Sequence, residues 1–133
     1  MFNVELRNGT DESNGNVYVS GKPVCDDDWD KVDADVVCQE LGFRKAVYHT
    51  VGSVFGKVSP DFAMDNVKCS GIERRLKDCL HTTHENCGPG EGAGVVCVPT
   101  AGKLDVFALS MIQSFNSYYK HYFEVIKLSL IHI

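Results

Sequence analysis

Short alternating segments dominate the chain up to Val98. Val4-Glu5-Leu6-Arg7 alternates apolar with polar positions and predicts a short strand. Asn16-Val17-Tyr18-Val19 predicts a second, after a turn at Asn14-Gly15. Ser20-Gly21-Lys22-Pro23 reads as a tight turn into Val24-Cys25. The period then changes. Ala34, Val37, Cys38 and Leu41 fall at i, i+3, i+4 and i+7, which predicts a helix with Asp33 as its cap and Gly42 as its stop. Phe62 and Met64 alternate with Ala63 toward Val67 and Cys69, a further strand, and Val95-Val96-Cys97-Val98 predicts a buried last one. Many short strands, long turns and one helix make an α+β unit, with no internal repeat.

Composition divides the chain. Its 133 residues are one domain's worth, yet all six cysteines lie between Cys25 and Cys97. Residues 1–98 carry 10 Lys/Arg against 16 Asp/Glu, and residues 99–133 carry 3 against 2. The tail is also richer in apolar residues, 19 of 35 against 39 of 98. Pro99-Thr100-Ala101-Gly102 suits a linker, so a domain is expected over 3–98 and a separate tail over 99–133. The acidic balance argues against a nucleic-acid partner, which needs clustered Lys and Arg. No uninterrupted apolar run reaches the length of a membrane span.

The cysteines set the compartment. An even count in a small Gly-rich unit reads as a disulfide framework in an oxidising, extracellular setting. Six cysteines allow 15 pairings, and spacing does not choose among them. Zinc is the rival: Cys79, His81, His84 and Cys87 supply two thiols and two imidazoles within nine residues. That set would leave four cysteines over, one of them Cys38 on the apolar helix face. Asn8-Gly9-Thr10 is an N-glycosylation acceptor pattern, with Asn8 as the expected site. The opening residues lack a basic start and an apolar core, so no signal peptide is read there and a fragment is expected.

Taken in order, several segments resemble the scavenger receptor cysteine-rich domain. They are Val4-Glu5-Leu6-Arg7-Asn8-Gly9, Val24-Cys25-Asp26-Asp27-Asp28-Trp29-Asp30 and Ala34-Asp35-Val36-Val37-Cys38-Gln39-Glu40-Leu41-Gly42. Phe55-Gly56, Asp65-Asn66-Val67-Lys68-Cys69-Ser70-Gly71, Leu76-Lys77-Asp78-Cys79, Asn86-Cys87 and Ala93-Gly94-Val95-Val96-Cys97 complete the series. The six-cysteine type is the one resembled, since Phe43 stands where eight-cysteine members have another Cys. The resemblance implies bridges Cys25–Cys87, Cys38–Cys97 and Cys69–Cys79, and a curved antiparallel sheet cradling one helix. It also implies an extracellular ligand-binding module. Polyanionic or protein ligands, microbial surfaces among them, are the expected partners, with an accessory or spacer domain of a larger secreted chain as the alternative.

Asp26, Asp27, Asp28, Asp30, Asp33 and Asp35 crowd six carboxylates into ten residues, with only Lys31 against them. Such density suits a hard cation, Ca²⁺ or Mg²⁺, or else a solvated helix N-terminus. The resemblance assigns Asp26, Asp27 and Glu91 to one cation site and Asp65 and Asn86 to a second. Gly92 and Asn66 stand where the family pattern has further Asp residues. The usual Trp-Gly before the first cysteine is Lys22-Pro23, and the Cys79–Cys87 loop is short and lacks its Trp. Arg74, Arg75 and Lys77 form a small basic group. His49, His81 and His84 have no Ser in a nucleophile-elbow motif, and bridged cysteines are not nucleophiles, so no catalytic constellation is read. In the tail, residues 104–127 have apolar side chains at roughly helical spacing. Its last six residues, Leu128-Ser129-Leu130-Ile131-His132-Ile133, are what the transposon-end sequencing adaptor CTG-TCT-CTT-ATA-CAC-ATC encodes in this frame. The tail is therefore expected to be non-native read-through.

Overall fold

The computed structural model describes residues 3–83 and 86–99. Strand β1 (Val4–Arg7) pairs antiparallel with β2 (Asn14–Val19), Val4 opposite Val19 and Arg7 opposite Asn16. β3 (Lys22–Pro23) folds straight back on β2, and helix α1 covers Lys31–Glu40. β4 (Ala46–Thr50), β5 (Asp65–Lys68), a 3-10 turn at Leu76–Asp78, β6 (Leu80–Thr82) and β7 (Gly94–Cys97) follow. The main sheet runs β1-β2-β7-β4, with β3 beside β2, and β5 pairs β6 in a second sheet. Every pairing between these strands is antiparallel, and α1 packs on β4 and β7. This is the expected α+β fold. The tail over 99–133 lies outside the described residues apart from Pro99.

Three local expectations are corrected. Asn14-Gly15 is not a turn but the start of β2. Its side chain builds the preceding loop instead: Asn14 Oδ1 accepts from Thr10 N at 2.8 Å, and Asn14 Nδ2 donates to Thr10 Oγ1 at 2.9 Å. The tight turn after β2 is shorter than expected. Ser20 and Gly21 take φ of 50° and 84°, so Lys22 and Pro23 already pair with Val19 and Tyr18. Positive φ at both central residues is the conformation a two-residue hairpin requires. The helix begins one turn earlier than the apolar period suggests. Asp30 is its cap and Asp33 occupies the third helical position, where it closes a capping box.

Asp33 is fully buried. Its two carboxylate oxygens accept from Cys69 N and Asp30 N, each at 2.8 Å. Thus one side chain ties the helix start to the segment after β5. Asp35 ties the helix to the start of β4, accepting from Ala46 N at 2.8 Å.

The core lies between α1 and the main sheet. Val17, Val24, Ala34, Val36, Val37, Ala46, Val67, Leu76 and Val95 are completely buried. Trp29 joins them and donates Nε1–H to Gly94 O at 3.0 Å. Gly94 has no room for a side chain: a Cβ there would collide with Thr50 Oγ1 and sit 2.9 Å from Gly15 O. Gly94→Ala is expected to cost about 1–3 kcal/mol by forcing β4 and β2 away from β7. A denaturant midpoint equal to wild type would refute that.

All three disulfides have the pairing the resemblance implies: Cys25–Cys87, Cys38–Cys97 and Cys69–Cys79. The zinc alternative falls, because Cys79 and Cys87 are both in bridges, while His84 lies outside the described residues.

Candidate cation site

The site is made by a chain segment held between two others. Val24 lies between Met64 and Ala93, and Cys25 between Met64 and Gly92. Cys25 N donates to Met64 O at 2.9 Å, Ala93 N to Val24 O at 2.9 Å and Asp26 N to Glu91 O at 2.9 Å. Cys25 is fixed below by its bridge to Cys87, and Trp29 plugs the core. Between these anchors the chain must bulge outward. Trp29 N donates to Asp26 O at 3.0 Å, and Asp28 takes a φ of 64° to make the bend.

The bulge presents Asp26 and Asp27 half-buried, between Asp65 on one side and Glu91 on the other. One oxygen from each of Asp26, Asp27 and Glu91 lies within 4.8 Å of the others. Asp27 and Asp65 approach equally closely. The Cys25 sulfur reaches both groups and the Cys87 sulfur the second, but bridged sulfurs are not thiolate ligands. Cys87 Sγ is 3.8 Å from Asp27 Oδ2 and 3.8 Å from Asn86 Oδ1, so Asn86 stands beside the same bridge, exposed. Asp27 is therefore common to two carboxylate groups, one with Asp26 and Glu91 and the other with Asp65.

Electrostatics agree with crowding. Burial, reinforced by the negative charges of Asp65 and Asp26, pushes the Asp27 carboxyl above its ordinary range. The ion pairs Arg7–Glu5, Lys22–Asp61 and Lys31–Asp35 all lie elsewhere. Asp30, Asp33 and Asp35 belong to the helix and its anchoring rather than to this centre. Reading the residues missed the loop that closes the site: Gly52 N donates to Asp26 Oδ2 at 2.6 Å. Ser53 Oγ accepts from Gly92 N and donates to Pro89 O, both at 2.7 Å, locking that loop to the one carrying Glu91. The residue that could have signalled it is Gly52, which takes a φ of 70°.

Arg74, Arg75 and Lys77 are exposed around the 3-10 turn. Asn8 is exposed in the loop after β1, at a φ of 66°.

The scavenger receptor cysteine-rich domain model matches residues 7–98. The chain belongs to that family. A scavenger receptor cysteine-rich domain superfamily protein of Patiria pectinifera is 44% identical over 100 residues, 71% of this chain and 9% of that protein. Lysyl oxidase homolog 2 of Rattus norvegicus is 41% identical over 105 residues, 74% of this chain and 14% of the relative. The chain thus spans about a tenth to a seventh of these relatives. Among solved structures, the third SRCR domain of murine neurotrypsin superposes with a TM-score of 0.67 at 34% identity, covering 79% of this chain and 100% of that one. The dimeric form of the SRCR domain of mouse MARCO gives 0.55 at 33% identity, covering 73% and 88%. SRCR domains are disulfide-bonded, non-catalytic modules, typically extracellular. Among the described residues, no helix is long and apolar enough to cross a membrane.

Proposed function

We propose that this SRCR domain is an extracellular ligand-binding module whose contact site is assembled around a divalent cation, Ca²⁺ or Mg²⁺. The convergence of Asp26, Asp27 and Glu91, with Asp65 against Asp27, supports the reading. Hard carboxylate oxygens from separate segments suit such an ion, and its charge would relieve the repulsion that raises the Asp27 carboxyl. Asn86, beside the same bridge, would add a neutral oxygen from the rim. With the ion bound, an acidic domain can hold polyanionic or protein ligands, microbial surfaces included, that it would otherwise repel. Arg74, Arg75 and Lys77 then supply direct contacts to anionic groups. The exposed Asn8 carries an N-linked glycan on this reading.

Calorimetric titration of the oxidised full chain tests the site. Binding of Ca²⁺ is expected in the range of extracellular modules, about 10⁻⁴–10⁻³ M. Asp27→Asn should weaken it at least about tenfold, because Asp27 is common to both carboxylate groups. No heat from the parent chain would remove the cation from the proposal.

The match to lysyl oxidase homologs favours one further reading, a non-catalytic accessory or spacer domain within a larger secreted enzyme. A spacer would bind no cation and would tolerate Asp27→Asn without consequence.

A further inference from the structure

Large apolar side chains are exposed unevenly. Of the six among the described residues, Tyr48, Val51 and Val54 lie within one stretch of seven residues, 47%, 50% and 63% exposed. The other three are scattered over the helix, the approach to the 3-10 turn and β6. The stretch begins on β4, which is an outer strand of the main sheet. Its sequence, Ala46-Val47-Tyr48-His49-Thr50, carries none of the Lys, Glu or Pro residues that commonly protect such an edge.

The segment is also fixed. Beyond the Ser53 bonds already described, Ser53 N donates to Gly92 O at 3.0 Å, Gly56 N to Ser53 O at 2.8 Å and Val58 N to Pro89 O at 2.9 Å. Asn16 Nδ2 donates to Gly56 O at 2.9 Å. The loop backbone is therefore ordered before any partner arrives, so little further entropy is lost on contact. Its inner end is the Gly52 N–H that binds Asp26 Oδ2, which makes the apolar stretch continuous with the carboxylate centre.

We infer that Tyr48, Val51 and Val54 form, with the adjoining carboxylates, a docking surface for an extended segment of a protein partner in which a Lys or Arg is flanked by apolar side chains. The apolar flank covers the two valines and the tyrosine. The basic group faces Asp26, Asp27, Asp28 and Glu91, which retain net negative charge even with one divalent ion among them. A wholly hydrophilic polyanion would leave the valines in water, and a second copy of this acidic domain would bring like charges together. The inference rests on the ligand-binding reading above and chooses, between its two ligand classes, the protein.

The test is selection of phage-displayed random twelve-residue peptides on the oxidised full chain, once in Ca²⁺ and once in EDTA. Enriched peptides should pair Lys or Arg with neighbouring apolar residues. By fluorescence anisotropy they should bind about tenfold more weakly to the double variant Val51→Ser, Val54→Ser, which removes two buried methyl-bearing contacts. Their affinity should also fall as salt rises. Failure to enrich any peptide, enrichment of acidic or charge-free peptides, or equal affinity for the double variant would overturn the inference. Self-association of the chain that the double variant abolishes would overturn it in favour of a second copy. The Ca²⁺ titration separates the two ideas. Peptides that need Val51 and Val54 but bind equally in EDTA leave the docking surface standing without the cation.

Discussion

Replacing Cys38 and Cys97 together by alanine is expected to destabilise the domain by about 4 kcal/mol. The bridge spans 59 residues and joins the buried face of α1 to the middle of the sheet at β7. In the chain-entropy model a loop of that length, once opened, gives the unfolded chain that much freedom. For a domain of this size the loss corresponds to a fall in melting temperature of roughly 16–30 °C. Both sulfurs are fully buried, so the double variant also leaves a small apolar void rather than a stray thiol. Thermal unfolding followed by circular dichroism reads the result. A fall of only a few degrees would mean that packing of α1 on β4 and β7 holds the helix without the bridge.

Asp33→Ala comes next in size. It leaves Cys69 N–H in a buried setting, and Asp30 N–H in a part-buried one, without their carboxylate acceptor. Two unmet donors of this kind cost about 2–4 kcal/mol together. Asp33→Asn keeps one acceptor oxygen and should lose about half as much. The two variants differ in a second way. Burial pushes the Asp33 carboxyl up to about 6, against the hydrogen bonds that favour its charged form. A carboxyl with a raised folded pKa holds its proton more tightly in the folded state than in the unfolded chain. Its contribution to stability therefore grows as pH falls from about 6 toward 3.8, and is lost as pH rises through that window. Glu73 acts in the opposite sense lower down. Hydrogen bonds from Ser70 and Gly71 lower its carboxyl to about 2, so its contribution is lost as pH falls from 4.5 toward 2. Denaturant unfolding in EDTA at several pH values should show wild type gaining on Asp33→Asn between pH 6 and 4. Parallel curves would show that Asp33 does not take up a proton on folding.

Much of this architecture was legible in the residues. The i, i+3, i+4, i+7 spacing located α1, and Ala34, Val37 and Cys38 are buried as that spacing requires. The ordered motifs carried the disulfide pairing. Two kinds of feature were not legible. Asp33 looked like a cap because Asp is favoured there, yet Asp30 serves equally well by composition. Only the burial of Asp33 against Cys69 N decides between them, and that contact is 36 residues away. β4 escaped notice because a bulge between Ala46 and Tyr48 breaks the alternation that marks a strand. The carboxylates themselves were plain in the residues, but the sharing of Asp27 between the two groups was not. Asp27 touches both groups only because the Cys25 segment lies between the strand bearing Asp65 and the loop bearing Glu91.

That threading gives the site a property of its own. Its carboxylates come from positions 26–27, 65 and 91, so no short stretch of the chain contains it. A misoxidised isomer that separates Cys25 from Cys87 would scatter the oxygens while keeping the same mass and composition. If the ion binds there, affinity for Ca²⁺ becomes a quality-control assay: it would distinguish correctly bridged molecules from scrambled ones in a refolded preparation.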